Sequence, residues 1–174
     1  DDLDLSGNPL ATQCEAEVPN WKWHSTSEGI PPPLVDKART LHDPMLFSAR
    51  WTTRMYVDES SEYRFSSLAK KGSRVIVDGA IIVDKWSECC STFTSDATTL
   101  SAGYHIVAYE YRSGYTTDYS PTDSYAELSW SVGGEIFGAV SGSNSTNVTS
   151  TADELYAEVG WLACRAGHGT IHGS

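Results

Sequence analysis

The tightest constraint on the fold lies between Gly72 and Trp86. There Gly-Ser-Arg-Val-Ile-Val-Asp-Gly-Ala-Ile-Ile-Val-Asp-Lys-Trp sets two β-branched runs around an Asp78-Gly79 pair. β-Branched side chains suit a pleated, half-buried surface, and Asp-Gly readily takes the positive φ angles of a two-residue hairpin turn. Val75-Ile76-Val77 and Ile81-Ile82-Val83 therefore read as the arms of a β-hairpin. An amphipathic helix would need apolar residues recurring three or four apart, and here they run together.

The flanking segments follow the same period. From Phe47 onward, Ala49, Trp51, Thr53, Met55 and Val57 fall on one side, with Ser48, Arg50, Thr52 and Arg54 on the other, which is the pattern of a half-buried strand. Asp58 to Ser61 reads as a turn and Tyr63 to Leu68 as a second strand. Ser87 to Thr99 reads as a polar loop, Tyr104 to Tyr111 as a strand entered through Gly103, and Ser113 to Ser124 as a long loop. Ala126 to Trp130 is a further strand. Earlier, Trp21-Lys22-Trp23 alternates like a short strand, Pro31-Pro32-Pro33 is a stiff connector, and Leu34 to Leu41 reads as a helical turn. Later, Glu135 to Val140 and Leu155 to Cys164 read as strands, and 167–174 as a solvent-exposed Gly- and His-containing tail. Many short strands between turn signals predict an all-β fold, an antiparallel sandwich or barrel with long loops. The expected organisation is one compact domain. It has an N-terminal arm and first strand over 1–46, a core over 47–130, and C-terminal strands, loop and tail over 131–174.

Charge and cysteines narrow the setting. The 174 residues carry a net charge of -11, which disfavours nucleic acid and anionic membranes, because both select a cationic face. No apolar run reaches the ~18 residues of a spanning helix, so no membrane insertion is expected. Cys14, Cys89, Cys90 and Cys164 show no Cys-x-x-Cys spacing, and an even count spread from end to end fits disulfides in an oxidising compartment. Of the three pairings, Cys14 and Cys164 each reaching the Cys89-Cys90 pair is favoured, with a vicinal Cys89-Cys90 bridge beside Cys14-Cys164 as the alternative. Asn144-Ser-Thr146 and Asn147-Val-Thr149 are adjacent glycosylation sequons. Together with the acidic start at Asp1, these features read as a processed, secreted or cell-surface eukaryotic glycoprotein.

Several pieces in order resemble the PA14 domain family. The 72–86 stretch is similar to its Gly-x-Arg-x-x-x-Asp-Gly hairpin, Leu100 to Tyr111 to its Leu-x-Ala-Gly-x-Tyr-x-Ile-x-x-Glu-Tyr strand, and Ala126-Glu-Leu128-Ser-Trp130 to its closing strand. Arg50-Trp51 and Glu62-Tyr63-Arg64-Phe65 resemble upstream positions of the family, so the likeness covers about residues 47 to 130. The resemblance implies a β-sandwich or barrel. In the fungal adhesins of the family, an Asp-Asp pair just before the hairpin holds calcium, and the calcium binds sugar hydroxyls. The corresponding positions here are Lys70-Lys71. Two ammonium groups repel a dication that seeks anionic or carbonyl oxygens, so no cofactor is expected, with calcium as the alternative. Asp78 and Asp84 match family positions and are the residual metal candidates, although turn and hairpin-end roles account for both.

No nucleophile elbow, phosphate loop or His-Glu-x-x-His motif is present, and no catalytic site is expected. His168 and His172 lie in the Gly-rich tail and read as solvated. Tyr109, Tyr111, Tyr115, Tyr119 and Tyr125, with Asp118 and Asp123, gather around one loop. Tyrosine rings stack on apolar sugar faces and carboxylates accept hydroxyl hydrogen bonds, so Tyr109, Tyr111, Tyr115, Asp118, Tyr119 and Asp123 are the candidate glycan-binding set. Two roles follow. The first is a non-catalytic structural or adhesive module whose partner is itself, with self-assembly into a filament or matrix as the further expectation. The second is a lectin-like module whose partners are extracellular glycans.

Overall fold

A computed structural model describes residues 5, 11–13, 20–23, 47–88, 91–112, 124–138 and 169–173. Twelve strands run through them: β1 (Ala11–Gln13), β2 (Asn20–Trp23), β3 (Phe47–Val57), β4 (Ser61–Ala69), β5 (Gly72–Val77) and β6 (Ala80–Lys85), then β7 (Ser91–Thr94), β8 (Thr98–Leu100), β9 (Gly103–Arg112), β10 (Ser124–Val132), β11 (Glu135–Gly138) and β12 (Gly169–Gly173). No helix occurs among the described residues. The strands form two antiparallel sheets. One, sheet A, has the order β1-β12-β3-β9-β5-β6, and the other, sheet B, runs β11-β10-β4-β7, with β2 on β10 and β8 on β4.

The hairpin forms as its sequence demands. Val77 faces Ala80 across a two-residue turn in which Asp78 (φ 49°) and Gly79 (φ 83°) are both left-handed, the combination that matches strand twist. A register shift after Val75 sets Ile76 opposite Ile81, so β6 carries a bulge at the sheet's edge. Such a bulge kinks the strand and blunts an otherwise open ladder.

Period-two alternation builds the core from both sheets. Trp51, Met55, Val57, Val75, Val77, Val107, Tyr109 and Tyr111 face inward from sheet A and meet Phe65, Ala69, Ala126 and Leu128 from sheet B. Trp51 and Tyr109 stack with centroids 5.7 Å apart. Within this apolar layer sits a small polar knot. Ser67 Oγ donates to Ser73 Oγ at 2.8 Å and lies 3.1 Å from the Tyr109 hydroxyl. Burial pushes the Tyr109 hydroxyl well above the usual phenol range, against the pull of the Ser67 bond. Tyr109→Phe is expected to lower stability by about 1 kcal/mol, because it strands part of the serine pair. Adding Ser67→Ala and Ser73→Ala should cost less than the sum of the single changes, since removing the three hydroxyls together leaves none of them facing a lost partner. Urea midpoints of the four variants measure this, and strict additivity would refute it.

Two expectations from the sequence are corrected. The segment between Ser87 and Thr99 is not all loop, because β7 and β8 both pair with β4. Their Ser- and Thr-rich sequences give no apolar period, and main-chain pairing places them instead. Ser95 N donates to Phe65 O at 2.8 Å and Phe65 N to Ser95 Oγ at 3.0 Å, carrying the ladder across the gap. The tail is not free either. Gly169–Gly173 inserts between β1 and β3, with Thr170 opposite Arg50 and His172 opposite Ser48. Backbone pairing with an open edge needs no side-chain pattern, so nothing in a Gly-rich stretch announces it. The helical turn at 34–41 and the strand at 155–164 lie outside the described residues.

Candidate functional site

The turn from β4 into β5 packs two unusual residues together. Lys71 is buried with φ at 115°, a left-handed value that side chains other than glycine rarely take. Gly72 follows with no room for a side chain, since a Cβ there would lie 2.1 Å from the Trp86 carbonyl oxygen. Backbone held in a sparsely populated region costs on the order of 1–3 kcal/mol and persists only where its surroundings enforce it. Here Lys70 N donates to Tyr125 O at 3.0 Å, and the Tyr111 hydroxyl donates to Lys70 O at 3.1 Å. Arg112, opposite Gly72 in the ladder, ends β9, and Ser124 begins β10 beside Lys70. Both ends of the 113–123 segment therefore leave from this corner.

Beside it, Trp86 is covered by the Arg74 and Arg112 guanidinium groups, 4.6 and 5.1 Å from the ring centroid. Arg74 also belongs to a row of alternating charge running across four strands in register: Arg50, Glu110, Arg74, Asp84. Arg50 Nε donates to Glu110 at 2.8 Å and Arg74 Nε to Asp84 at 2.9 Å, so the buried Glu110 carboxylate lies between two cations. The Arg74 bond holds the Asp84 carboxyl below its ordinary range.

At the hairpin's far tip, Asp78 clamps the neighbouring strand. Its Oδ1 accepts from Ile106 N at 2.8 Å, and its Oδ2 lies 2.6 Å from His105 Nδ1. The other ring nitrogen, Nε2, donates to Ser101 O at 2.8 Å. A carboxylate and a carbonyl are both acceptors, so both ring nitrogens must donate and the bonded imidazole is a cation. The bond to Asp78 raises the His105 pKa, and the same bond lowers that of Asp78.

The residues singled out from the sequence fare unevenly. Asp78 and Asp84 are spent on His105 and Arg74, and among the described residues no cluster of three or more His, Cys, Asp or Glu offers a metal cage. Tyr109 and Tyr111 are buried, 1% and 0% exposed, and offer no ring face to a sugar, which corrects their place in the glycan-binding set. They point inward by strand period, and β9 lies inside the sheet. Tyr115, Asp118, Tyr119 and Asp123 lie outside the described residues, as do Cys14, Cys89, Cys90, Cys164, Asn144 and Asn147. The exposed Tyr56 and Tyr104 pair was missed, though alternation along β3 and β9 could have found it.

Two antiparallel sheets closing on a shared core, with a strained corner ahead of a central Asp-Gly hairpin, define an antiparallel β-sandwich. The PA14 domain family model matches residues 36–132, and the chain belongs to that family. Over 57 residues the chain is 35% identical to the anti-sigma-I factor RsgI3 of Acetivibrio thermocellus, a match covering 33% of this chain and 9% of that protein. An anti-sigma factor domain-containing protein from Clostridium clariflavum superposes with TM-score 0.56 at 22% identity, over 79% of this chain and 42% of the other. The PA14 sugar-binding domain from an RTX adhesin superposes with TM-score 0.51 at 16% identity, over 73% and 75%. This chain thus spans a small part of the relative it matches by sequence and less than half of the first of these structures. At such identities the two superpositions establish the fold.

Proposed function

We propose that this PA14 domain is a non-catalytic, extracellular carbohydrate-binding module used in adhesion, and that it binds sugar at the Lys70-Lys71 corner without calcium. The observation that carries the reading is the enforced strain at Lys71, which lies where the family's adhesins place their Asp-Asp pair, beside both ends of the Tyr- and Asp-rich 113–123 segment. Strain of this kind gathers at ligand sites, where surrounding structure maintains it. The likeness to the PA14 sugar-binding domain of an RTX adhesin supports the same class. Lys70 and Lys71 stand where the family's adhesins hold their Asp-Asp pair, and two ammonium groups repel a dication, which favours a site that works without metal.

A glycan array run on the native chain with and without chelator tests the proposal. The expected result is one binding pattern, unchanged by chelation. Binding that disappears with chelator refutes the metal-free site, and silence in both arms refutes glycan recognition. The identity to an anti-sigma-I factor favours a second reading, a module within a longer protein of regulatory function. Intact mass of the native protein tests it, since a much larger parent chain is required.

A further inference from the structure

The outer face of sheet A carries a feature separate from the corner. Four of the five exposed large hydrophobic residues among those described, Tyr56, Tyr104, Ile106 and Ile81, lie on this one face, each 41% to 57% exposed. Register makes them neighbours. Tyr56 faces Tyr104, Arg54 faces Ile106, and Ile76 faces Ile81 two strands away. The two tyrosine rings lie 4.9 Å apart, and the Arg54 guanidinium rests 4.3 Å above Tyr104. The strip crosses four strands, roughly 15 Å at ~4.8 Å per strand.

The charge on this face runs against the rest of the molecule. Four of the chain's seven arginines, Arg50, Arg54, Arg74 and Arg112, occupy its outward positions, in a protein of net charge -11. The carboxylates of the face, Glu110 and Asp84, are engaged by Arg50 and Arg74. Among the described residues no carboxylate pairs with Arg54. A patch that joins tyrosine rings to a guanidinium with spare donors suits a ligand with apolar faces and carboxylates together. Its size also selects the occupant. The four exposed residues leave on the order of 400 Å² open, taking a large side chain as roughly 200 Å². A stable protein partner needs ~800 Å² from each side.

We infer that the outer face of sheet A binds an acidic polysaccharide, a chain of uronate-type sugars laid across Tyr56, Tyr104 and Ile106 with a carboxylate on Arg54. Guanidinium binds a carboxylate bidentately, and the aromatic and aliphatic strip accepts the flat faces of successive rings. This surface is additional to the corner and needs neither the corner nor the 113–123 segment.

Affinity electrophoresis of the full chain through gels containing polygalacturonate, alginate or fully methyl-esterified polygalacturonate tests it. Retardation is expected in at least one acidic gel, weakening with added salt, and not in the esterified one. Arg54→Ala and Tyr104→Ala should each weaken it at least about tenfold with unchanged thermal midpoints, because both side chains reach solvent. Arg64→Ala removes an exposed cation from sheet B and should leave retardation unchanged. Equal retardation of the Arg54 and Tyr104 variants, or equal loss in the Arg64 variant, overturns the site. A dimer seen by sedimentation and abolished by Tyr104→Ala would instead give the face to a second copy. Neutral glycans bound on the array, with neither acidic gel retarding the chain, sink this inference alone. Silence everywhere sinks it together with the corner.

Discussion

Replacing Gly72 with alanine is expected to lower the free energy of unfolding by about 3 kcal/mol or more, among the larger effects open to a one-methyl change. The added Cβ would lie 2.1 Å from Trp86 O, 2.8 Å from Trp86 C and 2.9 Å from Arg112 Cγ. Two of those atoms are backbone and cannot swing aside. The Trp86 main chain is held by its own N–H, which reaches Asp84 Oδ1 at 3.3 Å, and its ring is covered by Arg74 and Arg112. Relief would require β5 to separate from the end of β6 or from β9, opening the hairpin at its base. Gly79→Ala is the matched control. Nothing lies within 4 Å of its Cβ position, so it meets only the penalty of a left-handed φ, about 1 kcal/mol. Urea denaturation of the two variants compares them directly. A Gly72 variant no worse than the Gly79 variant would mean that the corner has slack its geometry does not reveal.

The second large effect concerns Asp78 and pH. Asp78→Asn keeps an acceptor for Ile106 N and tolerates the left-handed φ, but removes the charge that faces His105. Such a bond to a charged group contributes about 2 kcal/mol where it is sheltered, and the partial exposure of Asp78 brings the expected loss nearer 1 kcal/mol. The sign of the pH dependence follows from the directions of the two shifts. The His105 pKa is raised in the folded state above its ordinary 6.5, so its contribution is complete below that value and is lost as pH rises through the raised one. The Asp78 pKa is lowered, so its contribution holds above the ordinary 3.8 and is lost only as acid passes below it. The clamp is therefore strongest between those limits and loosens on the alkaline side. Thermal midpoints from about pH 5 to about pH 9 should fall for the wild type and fall less for Asp78→Asn. Parallel curves for the two proteins would remove the imidazolium from the account.

These outcomes bear on different parts of the molecule. The Gly72 and Asp78 changes act at opposite ends of one hairpin, whose base carries the candidate sugar corner and whose tip ties β5 to β9. Neither of the hairpin's two end contacts involves Arg54 or Tyr104, which lie on the outer sheet face and meet each other and Tyr56 there. That is why Arg54 and Tyr104 can be removed to test binding while the fold persists.

The hairpin, the long strands β3 and β9, the closing strand β10 and the antiparallel all-β class were legible in the amino-acid order alone. Their side chains alternate with the pleat, and Asp78-Gly79 encodes its own turn. The resemblance to the PA14 family, in turn, set Lys70-Lys71 at the place of an Asp-Asp pair. Tertiary structure decided the rest. Strands β7, β8 and β12 exist because open ladder edges of β4 and β3 recruit their backbones, and backbone hydrogen bonds carry no side-chain signature. Sheet order turned Tyr109 and Tyr111 from candidate sugar platforms into core, because an inward-facing ring on an interior strand has no solvent to meet. The same order drew Arg50, Glu110, Arg74 and Asp84 into one row and set Tyr56 beside Tyr104. Those residues are 10 to 60 positions apart in sequence and become neighbours only through strand register.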